Sequence, residues 1–226
     1  MITTQTQLTA TGACGYCGAQ SRFGHFCSDC RKIQPVAEGT DYFAFLGLPR
    51  KLRLDEAELE KTFYALSRQF HPDYFMNASP REQQASVERS SMLNDAYRAF
   101  RDPVMRAKYL LSLYGYKEAE KKAPPDLLEE VFELNMQIEE LKAARKMAGE
   151  DEVAEARVAL EDALRSLEEK IAKIDERLFA LFEEWDRAID ESSKEDQRKS
   201  ALDQMSELLS NRSYIHNLIR DIKEEL

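Results

Sequence analysis

The chain has 226 residues, with little glycine, proline or cysteine and no long hydrophobic run. No stretch approaches the ~20 consecutive apolar residues of a membrane-spanning helix, so we expect no membrane segment. After Pro125 the sequence holds one glycine and no proline, which predicts long uninterrupted helices. The four cysteines all lie within residues 1–39.

The second half of the chain carries a large excess of acidic charge. Residues 1–116 hold 14 Lys and Arg against 12 Asp and Glu, whereas residues 117–226 hold 18 against 30. Nucleic-acid phosphates need a basic surface, so we expect no nucleic-acid partner. The first residues lack a secretion signal or an Arg-rich presequence. This favours a cytosolic protein, with a mitochondrial matrix protein that has lost its presequence as the alternative.

Composition divides the chain into three regions and predicts an all-α fold. Residues 1–39 carry the cysteines, residues 40–116 contain several helical patterns with clear start signals, and residues 117–226 resemble a helical bundle. The bundle is predicted to start at Pro124-Pro125-Asp126, with helices to about residue 147, over 151–189 and from about 193. The first is much shorter than the second, so the second either bends or projects beyond the bundle as a longer hairpin with the first.

Capping signals place the helices of the middle region. Asp55 with Glu58 and Ser79 with Glu82 have the spacing of capping boxes, in which a short polar residue and an acidic residue hold the first helical turn. We predict a short helix over 42–46 ended by Gly47, two long helices separated by a polar loop at 71–79, and a last helix to about 113.

The cysteines form two C-x-x-C pairs with nine residues between them. Each pair can form a tight knuckle, and four thiolates can surround one metal ion as a tetrahedron. Disulfides fit a cytosolic chain poorly, and a redox dithiol lacks its βαβ context. An iron–sulfur cluster stays possible. We predict a structural Zn²⁺ ion, one per chain, on Cys14, Cys17, Cys27 and Cys30, with the nearby His25 at the surface rather than among the ligands.

The polar loop contains His71-Pro72-Asp73 between the two long helical patterns. No Ser or Cys nucleophile motif accompanies His71, so the loop does not indicate an enzyme. Pro72 restricts the backbone, and the neighbouring side chains offer hydrogen bonds and charge. We therefore predict a recognition loop for a partner protein. Lys61 and Arg68 on the preceding helix are expected to contribute basic charge to the same contact.

A loop of this kind between two antiparallel helices resembles the J-domain, and further motifs narrow the resemblance to the HscB family. These motifs are Phe70-His71-Pro72-Asp73-Tyr74-Phe75, the run from Leu93-Asn94 through Ala107-Lys108-Tyr109-Leu110-Leu111 to Gly115, and Leu127-Leu128-Glu129-Glu130-Val131-Phe132. The likeness covers residues 40–226. A tetracysteine segment ahead of the J-domain occurs in some members of the family.

The resemblance implies a co-chaperone that is not itself an enzyme. Its J-domain would bind a DnaK- or HscA-type chaperone and stimulate ATP hydrolysis, while its bundle would hold an IscU-type iron–sulfur scaffold protein. Matching by register places the scaffold site on one face of the first bundle helix and one aromatic of the last. The residues implied are Leu128, Phe132, Glu133, Met136, Glu140 and Tyr214.

Two alternatives stay open at the level of sequence. Phe132 and Met136 could instead pack inside the bundle as ordinary core residues. The protein could also be a J-domain co-chaperone for an unrelated client that the zinc module recognises.

Overall fold

The structure, a computed structural model, describes residues 11–22, 24–117, 127–147, 149–191 and 195–226. It confirms the predicted all-α class, with one small antiparallel sheet. The strands are β1 (Thr11–Ala13) and β2 (Gln20–Arg22), and the helices are α1 (Tyr42–Leu46), α2 (Glu56–Phe70), α3 (Pro80–Arg101), α4 (Pro103–Leu113), α5 (Leu128–Met147), α6 (Glu150–Asp190) and α7 (Glu195–Glu225). No helix of the described ranges is both long and apolar enough to span a bilayer.

Local capping explains why the helix bounds follow the sequence signals. Gly47 ends α1 in the left-handed conformation at φ 69°, which costs glycine little. At the start of α3, the Glu82 carboxylate accepts from the Ser79 amide at 3.3 Å and from the Ser79 hydroxyl at 2.7 Å. Asp55 caps α2 by accepting from the amides of Ala57 and Glu58. The predicted starts at 124–126 and 193 lie outside the described residues.

Contacts divide the chain into two compact units, Met1–Tyr109 and Leu110–Leu226. The first unit contains the cysteine region together with α1, α2, α3 and most of α4. Its core includes one residue from the cysteine region and four from the helices that follow: Ile33, Phe45, Phe70, Ala85 and Leu93. The division into domains at 39/40 and 116/117 stays a prediction.

The second unit is the predicted three-helix bundle. One apolar cluster of the bundle combines Leu127 and α5 with the first half of α6 and the second half of α7: Leu127, Leu134, Ile138, Leu141, Leu160, Leu167, Ile215, Ile219 and Ile222. Beyond α5, buried residues of α6 such as Leu178 and Trp185 accompany buried residues of the first half of α7, such as Leu202 and Met205. The long second helix therefore extends beyond the first alongside α7, not as a longer hairpin with α5.

Candidate functional site

The four cysteine sulfur atoms lie within 4.8 Å of one another, so the structure brings the predicted metal ligands together. In both C-x-x-C turns the amide four residues after the first cysteine donates to its carbonyl: Gly18 to Cys14 at 2.8 Å and Arg31 to Cys27 at 3.0 Å. Both donors have positive φ, 73° at Gly18 and 59° at Arg31. The two C-x-x-C turns therefore have the same backbone conformation. Arg31 adopts in the second turn the left-handed conformation that Gly18 adopts in the first.

Sulfur spacing fits a tetrahedral metal ion. With metal–sulfur bonds of about 2.3 Å, a regular tetrahedron places its sulfur atoms about 3.8 Å apart. The Sγ atoms of Cys14 and Cys30 are 3.7 Å apart, and those of Cys17 and Cys27 are 3.9 Å apart. A disulfide needs about 2.05 Å, and all four cysteines are free. The chemistry of the donor set is that of a closed structural site with no position left for a substrate.

The protein environment divides the thiols into more and less acidic groups. The backbone amides of Cys17 and then Tyr16 lower the pKa of Cys14 to about 6. The amide of Lys32 acts in the same direction on Cys30, but burial and hydrogen bonds from the other three thiols together raise its pKa to about 12. A divalent cation would replace the thiol protons, so binding releases protons and weakens as the pH falls.

The predicted recognition loop lies at the surface between α2 and α3, with residues 72–75 forming a 3₁₀ turn. The side chains of His71 and Asp73 are 52% and 75% exposed, and Pro72 is exposed as well. The Asp73 amide donates to His71 Nδ1 at 3.3 Å, and the Tyr74 amide donates to the His71 carbonyl at 3.0 Å. The loop is therefore ordered by its own hydrogen bonds while its recognition groups face solvent.

The base of the loop is buried. Phe70, the last residue of α2, has no exposed surface, and its carbonyl accepts from the hydroxyls of Ser86 at 2.6 Å and Ser90 at 2.9 Å. Both serines lie on α3, one turn apart on the same face. These bonds satisfy a carbonyl at the helix end and fix where α2 stops, directly before His71.

The two predicted basic residues of α2 are exposed and lie seven positions apart, on one face of the helix. Lys61 Nζ is 3.1 Å from the carboxylate of Glu58, one turn before it. Arg68 lies in the last turn of α2, near the recognition loop. The arrangement gives α2 a local basic surface only at its C-terminal end, since Glu58 offsets the charge of Lys61.

The predicted scaffold face on α5 is exposed. Leu128, Phe132 and Met136 are 55%, 66% and 49% exposed, and Glu133 and Glu140 are also exposed. Since residues four apart share a helix face, Leu128, Phe132 and Met136 form an apolar stripe with carboxylates beside it. The alternative in which Phe132 and Met136 pack inside the bundle is wrong, because both are exposed and the α5 core positions are Leu134, Ile138 and Leu141.

Tyr214 is placed differently from the rest of that predicted site. It lies on α7, is partly buried and packs against the apolar cluster of the bundle. Its ring therefore contributes to the bundle interior. The α5 stripe is the exposed part of the predicted site, and its role in binding stays a prediction.

His25 does not lie free at the surface, so that expectation is wrong. Its ring packs edge-on against Phe45 and Phe70, with centroids 5.1 and 4.9 Å away. Burial, and then the charge of Arg89, lower its pKa to about 4. His25 is therefore neutral near pH 7, and its Nδ1 accepts a hydrogen bond from Arg89 at 2.6 Å.

Sequence reasoning missed Arg89. It occupies a buried position on the face of α3 that also carries Ala85, Leu93, Ala96 and Phe100. A charged residue within a 3–4-residue apolar period is unusual, because an arginine is almost never fully buried unless it is paired. That interruption was the available signal.

Comparison with known proteins finds a DnaJ domain and similarity to HscB co-chaperones. A family model described as DnaJ domain matches residues 41–109. The iron–sulfur cluster co-chaperone protein HscB of mouse is 35% identical over 147 residues, which cover 62% of this chain and 62% of the mouse protein. The alignment thus spans less than two thirds of that relative.

Two solved structures resemble the fold. The crystal structure of human co-chaperone protein HscB matches with a TM-score of 0.68 and 24% identity, over 94% of this chain and 98% of the human one. Chaperone HscB from Vibrio cholerae matches with a TM-score of 0.54 and 26% identity, over 81% and 96%. Residues 41–109 are matched as a DnaJ domain, and the chain is similar to HscB proteins in sequence and in fold.

The matched residues locate the DnaJ domain within the structure. The DnaJ match begins at Asp41 and ends at Tyr109, so it contains α1, α2, the recognition loop, α3 and the first part of α4. The cysteine cluster precedes it and the α5–α7 bundle follows it. The match therefore leaves both the metal ligands and the α5 stripe outside the J-domain proper.

Proposed function

We propose that this protein is a co-chaperone of iron–sulfur cluster assembly. Its J-domain binds a DnaK- or HscA-type chaperone and stimulates that chaperone's ATPase, and its α5 stripe carries an IscU-type scaffold protein to the chaperone. The protein itself catalyses no reaction. The observation that supports the proposal most directly is the exposed loop of residues 71–73, ordered between two antiparallel helices beside Arg68.

The chemistry of the loop suits recognition of a charged partner. His71 can donate or accept hydrogen bonds, Asp73 offers a carboxylate, and Pro72 limits the number of conformations lost on binding. Arg68 adds a positive charge, which complements an acidic face on the chaperone and speeds encounter. Stimulation acts through the partner's own nucleotide site, which is why this chain needs no nucleophile or base.

The client surface fits a transient interaction. An exposed apolar stripe with acidic neighbours has the composition of a small interface core with a polar rim. The scaffold docks on Leu128, Phe132 and Met136, with Glu133 and Glu140 selecting a partner that carries basic residues. In this proposal Tyr214 supports the bundle behind the site.

We propose zinc as the metal of the cysteine cluster, because a closed tetrahedral four-thiolate shell is typical of structural zinc. The four cysteines would hold the ion, and the ion would fix the fold of residues 11–35. We also propose the cytosol as the compartment, with the mitochondrial matrix as the alternative. Free thiols in the cluster are compatible with both compartments, which keep cysteines reduced.

The loop is tested with His71→Gln. We expect the wild-type protein with scaffold to raise the steady-state ATPase of the cognate chaperone, and the substitution to lower the stimulation by at least about tenfold, as loss of a binding hot spot does. His216→Gln is the matched control, since His216 is exposed on α7, in the other unit. If the wild-type protein gives no stimulation, the proposal is wrong.

The client site is tested with Phe132→Ala. We expect the dissociation constant for the scaffold, measured by calorimetry, to rise by about 30-fold, because a central exposed aromatic is a typical hot spot. Phe179→Ala is the control, since Phe179 is 47% exposed on α6. Equal affinity of both variants, together with loss of client binding on metal removal, would favour the alternative in which the client is recognised by residues 11–35, which we call the cysteine module.

A further inference from the structure

Arg89 of α3 is only 4% exposed, and its hydrogen bonds all go to one segment. Its guanidinium donates to the carbonyls of Gln34 at 2.5 Å, Pro35 at 3.1 Å and Gly24 at 3.2 Å, and to His25 Nδ1 at 2.6 Å. These four acceptors are neutral, and they lie on both sides of Cys27 and Cys30. Arg89 therefore binds the segment around two metal ligands rather than a carboxylate.

That segment, residues 24–35, is a small hairpin that we call the metal hairpin. The Gln34 amide donates to the His25 carbonyl, Phe26 and Ile33 form an isolated bridge, and the Cys27 amide donates to the Lys32 carbonyl. Cys27 and Cys30 lie at the tip of the hairpin, and Arg89 binds its open end. The metal ligands are thus connected to α3 through a short hydrogen-bonded ladder.

The metal hairpin also packs on the residue that precedes the recognition loop. The Phe70 ring lies 4.9 Å from the His25 ring and 6.0 Å from the Phe26 ring. The Arg89 guanidinium lies 5.8 Å from the Phe70 ring centroid. Phe70 has no exposed surface, and the hairpin residue Ile33 belongs to the same core. One wall of the pocket that holds the end of α2 is therefore made by the metal hairpin.

A second anchor joins the first knuckle to the other side of the loop. Arg81, in the first turn of α3, donates to the Gly15 carbonyl at 2.8 Å and lies 4.9 Å from the Tyr16 ring centroid. A Cβ on Gly15 would lie 2.0 Å from the Arg81 guanidinium, so only glycine allows this approach. Lys32 adds an ion pair with Glu82 at 3.2 Å. The cysteine module is attached at both ends of residues 71–79.

We propose that Arg89 is a positioning residue for the chaperone-binding loop: it holds the metal hairpin against Phe70, so that a loaded cysteine cluster keeps residues 71–73 in their binding conformation. The activity part of this inference rests on the proposed co-chaperone function. The cysteine module then supports the chaperone-binding loop. The fraction of molecules that hold the metal sets the fraction that can bind the chaperone.

The physical reason is that the metal hairpin cannot hold its fold alone. A segment of this size buries too little apolar surface to be stable without a metal or a disulfide. Its loss would uncover Phe70 and leave the Arg89 guanidinium without its four acceptors. The end of α2 would then be held on one side only, by the serine hydroxyls of α3. A loop that is competent in only part of the molecules binds its partner with an apparent affinity reduced by that fraction.

The first measurement is amide hydrogen exchange of Phe70, Tyr74 and Ala78 in the full-length protein. We expect zinc removal by a chelator to speed exchange at these amides by about tenfold, with recovery when zinc is added back. Arg89→Ala should speed exchange similarly while the protein retains about one equivalent of metal, and Arg89→Lys should restore only part of the protection because an ammonium lacks the planar fork. Arg98→Ala, on an exposed residue of the same helix, should change nothing.

The second measurement is the dependence of chaperone ATPase stimulation on the concentration of this protein. For Arg89→Ala we expect the half-maximal concentration to rise by about tenfold with the plateau unchanged, since saturation recovers the competent conformation. A change in the plateau alone would contradict a positioning role. The chelated wild-type protein provides the same test without any substitution, should Arg89→Ala fail to fold.

The outcomes separate this inference from the proposed function. If chelation unfolds residues 24–35 and leaves exchange at Phe70, Tyr74 and Ala78 unchanged, the positioning role is overturned, whatever the ATPase shows. If exchange responds to the metal but the wild-type protein never stimulates the chaperone, the structural coupling stands and the co-chaperone function is wrong. Equal stimulation with and without metal overturns the inference and leaves the function intact.

Discussion

The unit up to Tyr109 and the unit from Leu110 use different interactions to hold their helices. In the first, two almost fully buried arginines donate to main-chain carbonyls of distant segments, Arg89 to Gln34 and Arg106 to Leu52. Four thiols of the same unit lie close together. In the second, aliphatic side chains repeat every three or four residues along α5–α7, and ion pairs lie at the surface. Directional bonds fix the position of single residues, whereas periodic apolar packing fixes the position of whole helices.

This difference matches what each unit presents. In the proposed function, the first unit displays a short recognition loop whose three side chains need a defined geometry, which buried hydrogen-bonded groups supply. The second displays a helix face, for which the helix itself already sets the spacing of Leu128, Phe132 and Met136. A candidate metal site and buried cations therefore occur in the unit with the loop, and an aliphatic bundle forms the other unit.

Metal removal is expected to give the largest difference in stability between the two units. Structural zinc contributes on the order of 10 kcal/mol to a small site, so we expect chelation to unfold residues 11–35 and to make all four cysteines reactive toward alkylating agents. Trp185, the only tryptophan of the chain, is fully buried in the bundle. Its fluorescence emission should not shift, because α5–α7 contain no cysteine. A red shift of Trp185 emission on chelation would contradict the independent stability of the bundle.

The converse experiment destabilises the bundle and monitors the first unit. Trp185→Ala should lower the free energy of unfolding of the bundle by about 3–5 kcal/mol, since it removes a fully buried aromatic that packs edge-on against Tyr114 at 5.5 Å. Calorimetry measures the loss, and metal content with cysteine reactivity reports the first unit, which we expect to be unchanged. Phe179→Ala, at an exposed aromatic of the same helix, should cost less than about 1 kcal/mol.

The sequence was most informative where structure depends on near neighbours. The Ser79–Glu82 cap, Gly47 and the C-x-x-C spacing each act within a few residues, so the helix bounds and the cluster of four cysteines could be predicted from them. Packing of the metal hairpin on α3 depends on contacts between Arg89 and residues 54 to 65 positions away. No local pattern encodes such a contact, which is why His25 was assigned to the surface.

The bundle shows the same limit in another form. Apolar periodicity located α5, α6 and α7, but both faces of α5 carry apolar residues: Leu134 and Ile138 are buried, while Phe132 and Met136 are exposed. A helix with apolar residues on two faces does not reveal which face is internal. The structure decides this, and it makes the exposed face available to a partner.

The smallest expected effect tests whether surface ion pairs stabilise the bundle at all. Arg212 on α7 contacts both carboxylate oxygens of Asp175 on α6, at 2.6 and 3.2 Å, and each side chain is about a quarter exposed. Because partial burial and two-point geometry strengthen a pair, we expect Arg212→Ala to cost about 1 kcal/mol, against about 0.3 kcal/mol for Arg157→Ala, whose pair with Glu161 is more exposed.

A double-mutant cycle with Asp175→Ala isolates the pairing energy from other losses. The cost of Arg212→Ala should fall as salt is raised from 0.1 to 1 M, because ions screen a partly exposed pair over shorter distances. A cost above about 3 kcal/mol that does not change with salt would show that the bundle, like the first unit, depends on a directional polar contact between its helices. The contrast between aliphatic and directional stabilisation would then fail at the contact between α6 and α7.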